Sequence, residues 1–565
     1  MEKRITLLAI LFLLLLQAKA QDPVMVWVSF KDKDHSSFSL LRPHEFLSQR
    51  SLERRQRQMI PLDNTDLPVS PYYLNLIETF EGVKVYYTSK WLNGAMLRLE
   101  SPAIYQDIAG LDFVVFSEIV KSYGGSTKSV SPVDLRGMEM HDNALENSPE
   151  PVYSFHSVFA DSHYPAYGAT ENQINMVNGS ALHQRGFWGR GLKIALLDAG
   201  YRFVDSLEAF QYLWLHNKIL GWRDFVNPGG NVFREHPHGT YVLSVMGGYL
   251  PGTYAGASLG ASYWLIRTED AATEFRIEEY NWLAGAELAD SIGADIINSS
   301  LGYTRFDDPS QSYTYSQLDG QTTVVARAAN YAFSKGILVV NSAGNYGAQT
   351  WQYIGSPADA PGVLAVGGTN SNGNRVNFSS VGPSADGRTK PDVMAQAQGV
   401  AVINLMGSIG QANGTSFSSP LVAAMAACLW QSFPLASADQ LKEAIKKSAD
   451  RYFEPDKLYG FGIPDFEIAS QILNQQIKPS QALKIIKNPI TIHSSLRIFA
   501  DDAQEVTISI YNASGQSIFN FGNVLLYKGY NDIRAFEYIE SMASGIYFVK
   551  VNFRNRTEMV KAIKL

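Results

Sequence analysis

At 565 residues the chain is too long for one hydrophobic core, and a composition 45% apolar and 18% charged belongs to folded domains rather than to a disordered polymer. A formal net charge of −7 over that length offers no electrostatic pull toward nucleic acid or an anionic membrane, so neither is expected as a partner. The single cysteine, Cys428, excludes an intramolecular disulfide; set in the apolar stretch from Leu421 to Trp430, it reads as a small core hydrophobe rather than a nucleophile.

Residues 1–20 read as an export signal. Lys3 and Arg4 make a basic start, Ile5 to Leu16 is an apolar run broken only by Thr6, and Ala18-Lys19-Ala20 has the small residues a signal peptidase accepts. No later segment reaches about 18 uninterrupted apolar residues, so no membrane span is expected after signal removal. Residues 21–120 form a small α+β unit. Its strands are expected at Val24 to Phe30, Val83 to Thr88, Ala95 to Leu99 and Phe113 to Ile119, and its helices around Glu45 to Gln58 and Tyr72 to Thr79. From 121 to 170 the chain turns to Gly124-Gly125, serines, Pro132, Pro149 and Pro151, the composition of an extended and cleavable linker.

Residues 171–475 alternate buried strands with helices. Strands are predicted at Leu192 to Leu197, Tyr263 to Ile266, Asp295 to Asn298, Ile337 to Asn341 and Val363 to Val366, with helices at Glu274 to Ile292 and Thr322 to Lys335. Near-continuous apolar strands between helices predict an α/β fold, a doubly wound parallel sheet covered on both faces, with its site at the carboxyl ends of the strands. In residues 480–565 the period becomes two. Val506, Ile508 and Ile510 alternate with polar residues, Asn512-Ala513-Ser514-Gly515 marks a turn, and Ile546 to Val551 and Val560 to Leu565 are short strands, which together predict a C-terminal antiparallel β-sandwich.

Three segments of the central block end an apolar element on a reactive side chain. Ile194 to Leu197 ends on Asp198, followed by Ala199-Gly200. His238-Gly239-Thr240 opens a helix that stops at Gly247-Gly248. Asn413-Gly414-Thr415-Ser416 leads into the apolar helix from Leu421. Each alone has a bland reading as a cap or turn residue. His236 and His238 are not a metal pair on this pattern, because no third ligand stands at zinc spacing. Together the three make chemical sense. A serine hydroxyl needs a base with a pKa near neutrality, that base needs an orienting carboxylate, and a helix N-terminus favours the developing negative charge. The chain order Asp, His, Ser separates this set from chymotrypsin-like and α/β-hydrolase orders.

Those three segments resemble the active-site motifs of the subtilase family, over roughly residues 171–475. Asn341-Ser342-Ala343-Gly344-Asn345 matches a fourth motif, and Ser300-Leu301-Gly302 and Lys390-Pro391-Asp392-Val393 match less specifically. The resemblance implies a serine endopeptidase with Asp198, His238 and Ser416 as catalytic residues. It further implies Asn345 in the oxyanion hole, Ser300, Leu301 and Gly302 as a substrate-pairing wall, and Gly355, in Ile354-Gly355-Ser356-Pro357, at the floor of a deep pocket for large apolar residues before the scissile bond. Tyr303 stands where many relatives have a smaller residue and is expected to narrow a subsite. No cofactor is implied. Relatives hold structural calcium, but no carboxylate cluster assigns a metal here, and Asp307-Asp308 reads as a solvated turn. The N-terminal unit resembles inhibitory, chaperone-like propeptides, which makes it an intramolecular inhibitor removed by cleavage in 121–170. The C-terminal unit resembles the sorting domains of the type IX secretion system, through Asn488-Pro489, Tyr511 to Gly515, Ser544 to Val549 and the Lys561 to Lys564 tail. Protein or peptide substrates, the chain's own propeptide and the secretion machinery are thus the expected partners. The mature protein is expected to be secreted or held at the cell surface after export across the inner membrane. A non-catalytic binding protein on the same scaffold and an esterase are the alternatives that sequence leaves open.

Overall fold

The structure is a computed structural model that describes residues 22–123, 165–476, 483–486, 488–491, 494–500, 503–526, 529–536 and 541–565. The predicted export signal and most of the predicted linker lie outside the described residues.

The N-terminal unit is a four-stranded antiparallel sheet of β1 (Val24–Phe30), β2 (Val83–Ser89), β3 (Gly94–Leu99) and β4 (Val114–Ser122), in the order β2-β3-β1-β4. Alternation along β1 divides its side chains between two cores. Val24, Val26, Val28 and Phe30 pack on the unit's own helix Pro71–Ile77, whereas Met25 and Trp27 join the core of the central unit. The ring of Trp27 stacks on Tyr280 at 4.4 Å. The continuous apolar run of β1 thus reflects burial on both faces. The helix Gln49–Gln58 docks differently, without an apolar stripe: Arg54 and Arg55 are buried against Asp290 of the central unit.

The central unit holds seven parallel strands: β5 (Lys193–Asp198), β6 (Ile219–Asp224), β9 (Ser262–Arg267), β10 (Ile296–Ser299), β11 (Leu338–Ser342), β12 (Val363–Thr369) and β13 (Val393–Gln396). The minor pair β7 (Tyr249–Leu250) and β8 (Tyr254–Ala255) lies between β6 and β9 in the chain. The sheet order is β13-β12-β11-β10-β5-β9-β6. The chain begins at β5, fills one side through β6 and β9, then crosses to build the other side from β10. The direction of winding therefore reverses around β5, which is where an open α/β sheet leaves a crevice beyond its carboxyl ends. Helices His238–Gly247 and Thr415–Ser432 pack on one face. Helices Ile277–Ser291 and Val324–Ser334 cover the other. Thr415–Ser432 is buried on nearly all sides, and its stretch from Leu421 to Trp430 is accordingly apolar all round, Cys428 included.

After the hairpin β14 (Val400–Ile403) and β15 (Ile409–Ala412), the C-terminal strands form two antiparallel sheets. One contains β16 (Leu483–Ile486), β17 (Ser495–Ala500) and β20 (Gly529–Ile533). The other contains β18 (Gln504–Asn512), β19 (Ser517–Leu526), β21 (Gly545–Asn552) and β22 (Thr557–Lys564). Inward residues of both, among them Leu496, Ile498, Ile508, Ile510, Val549 and Val551, share one core.

Candidate active site

Asp198 is the last residue of β5, and its side chain is fully buried. Its Oδ1 accepts the Ala199 backbone N–H at 2.7 Å and the imidazole Nδ1 of His238 at 2.8 Å. That second contact joins a strand end to the first residue of the helix His238–Gly247. The two elements meet closely because Gly239 has no side chain. A Cβ there would lie 2.5 Å from the Gly200 carbonyl oxygen, to which the Gly239 N–H is bonded at 3.0 Å. Burial works to lower the His238 pKa, but the charge and hydrogen bond of Asp198 outweigh it and hold the imidazole above its ordinary value of 6.5. The neighbouring His236 is bonded to the same turn, its Nδ1 accepting the His238 backbone N–H at 3.3 Å.

Ser416 is the second residue of the helix Thr415–Ser432 and 8% exposed. Its hydroxyl donates to the Ser300 carbonyl at 3.5 Å rather than to His238, and the Ser300 hydroxyl donates back to the Ser416 carbonyl at 2.9 Å. The His238 ring lies 6.1 Å from that of Phe417, the next residue. The structure thus joins aspartate to histidine directly and sets the serine beside them with its hydroxyl turned to the wall.

Asn345 follows β11 and is held by its acceptor end. Its Oδ1 takes both the N–H and the hydroxyl of Thr415, at 2.9 and 3.0 Å, which fixes the amide orientation and leaves Nδ2 as the outward donor. Gly414, at φ +146°, sits opposite. A Cβ there would stand 3.6 Å from Asn345 Nδ2 and 3.7 Å from the Ser416 backbone nitrogen, so two donors border one unfilled space.

Ser300, Leu301 and Gly302 leave β10 and are pinned by the Asn341 amide, which donates to the Leu301 carbonyl at 2.9 Å. Tyr303 then pairs with Ser356. Gly355 faces Gly302, with its missing Cβ 3.6 Å from the Gly302 Cα and 3.5 Å from the ring of Tyr346. The hydroxyl of Tyr346 donates to the Gly302 carbonyl at 3.3 Å. An aromatic ring that sequence reasoning missed thus stands against both Gly355 and Gly302, although Tyr346 directly follows Asn345. The side chain of Tyr303 does not narrow a subsite as expected. It is fully buried and its hydroxyl donates to Glu269 at 3.0 Å.

Behind that wall, Glu269, Glu274 and Glu278 bring carboxylate oxygens within 4.8 Å of one another, close enough to converge on one cation. All three pKa values are raised, chiefly by burial; neighbouring carboxylates add to this at Glu269 and Glu278, whereas at Glu274 the hydrogen bond with Glu269 works against it. Spread between a loop and a helix start, they carry no sequence spacing that announces them. Asp307, read as a solvated turn, accepts the Glu274 N–H at 3.0 Å.

Residues 189–462 match the model of the subtilase family, residues 25–132 that of the Peptidase S8 propeptide domain of Bacteroidota, and residues 486–565 that of a secretion system C-terminal sorting domain. Subtilisin BL of Lederbergia lenta is 30% identical over 298 residues, which cover 53% of this chain and 97% of that protein. Subtilisin amylosacchariticus of Bacillus subtilis subsp. amylosacchariticus is 29% identical over 304 residues, 53% of this chain and 70% of that protein. The crystal structure of MycP1 from Mycobacterium smegmatis is 21% identical and covers 55% of this chain and 86% of its own, with a TM-score of 0.43.

Proposed function

The chain belongs to the subtilase family and is a subtilisin-like serine endopeptidase, and from that premise we propose that Ser416, His238 and Asp198 carry its acyl transfer. Ser416 Oγ attacks the scissile carbonyl once it turns from Ser300 toward His238, whose imidazole takes the proton. Asp198 holds the imidazole tautomer and stabilises the imidazolium. Asn345 Nδ2 and the Ser416 N–H receive the oxyanion, and water then releases the acyl-enzyme. The observation that carries this reading is the 2.8 Å contact of buried Asp198 with His238, 40 residues apart in sequence, beside a serine at a helix N-terminus. Fluorophosphonate labelling followed by mass spectrometry should tag the peptide containing Ser416, and the labelled protein should no longer digest casein. A tag elsewhere, or casein digestion that survives full labelling, refutes the assignment. Ester cleavage without casein digestion would favour an esterase.

The chain carries a propeptide domain and a sorting domain. The first acts, in this proposal, as an intramolecular inhibitor released by cleavage within 121–170, and the second directs secretion or surface attachment. The missing side chain at Gly355, opposite Gly302 and beside the ring of Tyr346, supports a preference for large apolar side chains before the scissile bond.

A further inference from the structure

The loop that leaves β9 begins beside the strand end that carries Asp198 and holds a lysine ammonium of the propeptide. Its first residue, Thr268, donates its N–H to the Asp198 carbonyl at 3.0 Å, and Glu269 receives Tyr303 directly after the Ser300–Gly302 wall. Between these anchors, Asp270 is organised by its own loop: Oδ2 accepts the Thr273 hydroxyl at 3.0 Å and Oδ1 the Ala272 N–H at 3.3 Å. Seated on it is the ammonium of Lys121, from β4 of the propeptide, 3.1 Å from Asp270 Oδ2, 3.0 Å from Thr273 Oγ1 and 5.4 Å above the ring of Phe275. A carboxylate, a hydroxyl and an aromatic face together recognise a long cationic side chain. The field of the ammonium also reaches the buried Glu278 behind the loop, whose carboxylate accepts the N–H groups of Asp270 and Phe275.

We propose that Asp270, Thr273 and Phe275 form a subsite for a lysine or arginine of the substrate, upstream of the bond to be cut. The proposal rests on the reading that the propeptide is severed within 121–170. If that reading holds, Lys121 lies on the amino side of the scissile bond, as the upstream residues of any substrate do, and the proposal is that the same loop receives both. Two hydrogen bonds on Asp270 come from its own loop, so the pocket does not need Lys121 to keep its shape. Selectivity would then combine an apolar residue beside the bond with a basic one further upstream.

The test uses the full-length chain after maturation and fluorogenic peptides with one residue, lysine or the uncharged norleucine, walked through successive upstream positions. One position should show kcat/KM about tenfold higher for lysine, the worth of a hydrogen-bonded charge. The ratio should fall toward one at high salt. It should also collapse in Asp270→Asn and shrink in Thr273→Val, while Asp439→Asn, an exposed carboxylate on a remote helix, keeps it. Fluorophosphonate labelling of each variant checks that its site is folded. A ratio within about twofold of one at every position, or one that survives both loop substitutions, overturns the subsite and leaves Lys121 a docking contact of the propeptide. Failure to cleave even the norleucine peptides would instead sink the proteolytic reading, and the subsite with it.

Discussion

Replacing Asp198 by asparagine probes the contact on which the proposed mechanism turns. The amide keeps the size of the carboxylate and an oxygen able to hold the Ala199 N–H, so the charge is the main loss. With Oδ1 and Nδ1 2.8 Å apart, the centres of the carboxylate and imidazolium charges lie about 4 Å apart, worth about 4 kcal/mol at an effective dielectric constant of about 20. The imidazolium exists in the transition state and not in the resting enzyme, so the loss falls on kcat, about a thousandfold. The sign of the pH effect follows from the same contact. Catalysis needs neutral His238, and the pair raises its pKa, so wild-type activity should climb with pH through a midpoint above 6.5. In Asp198→Asn only burial remains, and the midpoint should drop below 6.5. The pair's stabilisation runs the opposite way: it is complete below 6.5 and disappears as pH rises through the elevated folded-state pKa. The assay is kcat and kcat/KM for one fluorogenic peptide across pH, with thermal unfolding as the structural control. A midpoint that stays put, or a loss appearing only in KM, would refute the reasoning.

Asn345→Ala removes one oxyanion donor and the acceptor of both Thr415 bonds. It should cost about 2 kcal/mol in the transition state, roughly thirtyfold in kcat with KM nearly unchanged, as read by steady-state kinetics. Asp290→Ala, in a full chain carrying Ser416→Ala to prevent processing, removes the carboxylate that stands 2.5 to 2.8 Å from buried Arg54, Arg55 and Lys90, and leaves Arg55 with Asp66 alone. It should cost about 3–5 kcal/mol in denaturant unfolding. Burial alone would raise the Asp290 pKa, yet Lys90, Arg55 and Arg54 drive it well below the ordinary 3.8. Its stabilisation is therefore present above that value and lost as pH falls through the depressed one. Gly355→Val should be accommodated by the fold, since a Cβ there meets only ordinary contacts, but its methyls should lower kcat/KM for aromatic residues before the cleaved bond far more than for alanine. Equal loss for both substrates would remove Gly355 from the pocket.

Much of the site was legible because it is built from element ends, where local rules speak. An apolar run ending on Asp198, a helix opening at His238 and another opening at Thr415–Ser416 each announce themselves within a few residues. Burial of Cys428 was legible from its apolar neighbours. Less was visible where a side chain's direction decides its role. Tyr303 and Tyr346 are alike in composition and close to the same segment, yet one is buried toward Glu269 and the other stands against Gly302 and Gly355. The Gln49–Gln58 helix read simply as charged; that Arg54 and Arg55 are buried partners of Asp290, more than 230 residues away, left no mark on the local pattern.

From the amino acids alone came the parallel sheet, the antiparallel C-terminal strands and Asp198, His238 and Ser416 as candidates at element ends, because periodicity, capping and turn chemistry act over a handful of neighbours. Folding in three dimensions settled which way Ser416 points at rest, which carboxylates crowd behind the Ser300–Gly302 segment, and which cation of the propeptide occupies the loop that starts beside Asp198. Those outcomes depend on distance and desolvation between segments far apart in the chain, and both quantities exist only once the segments have packed.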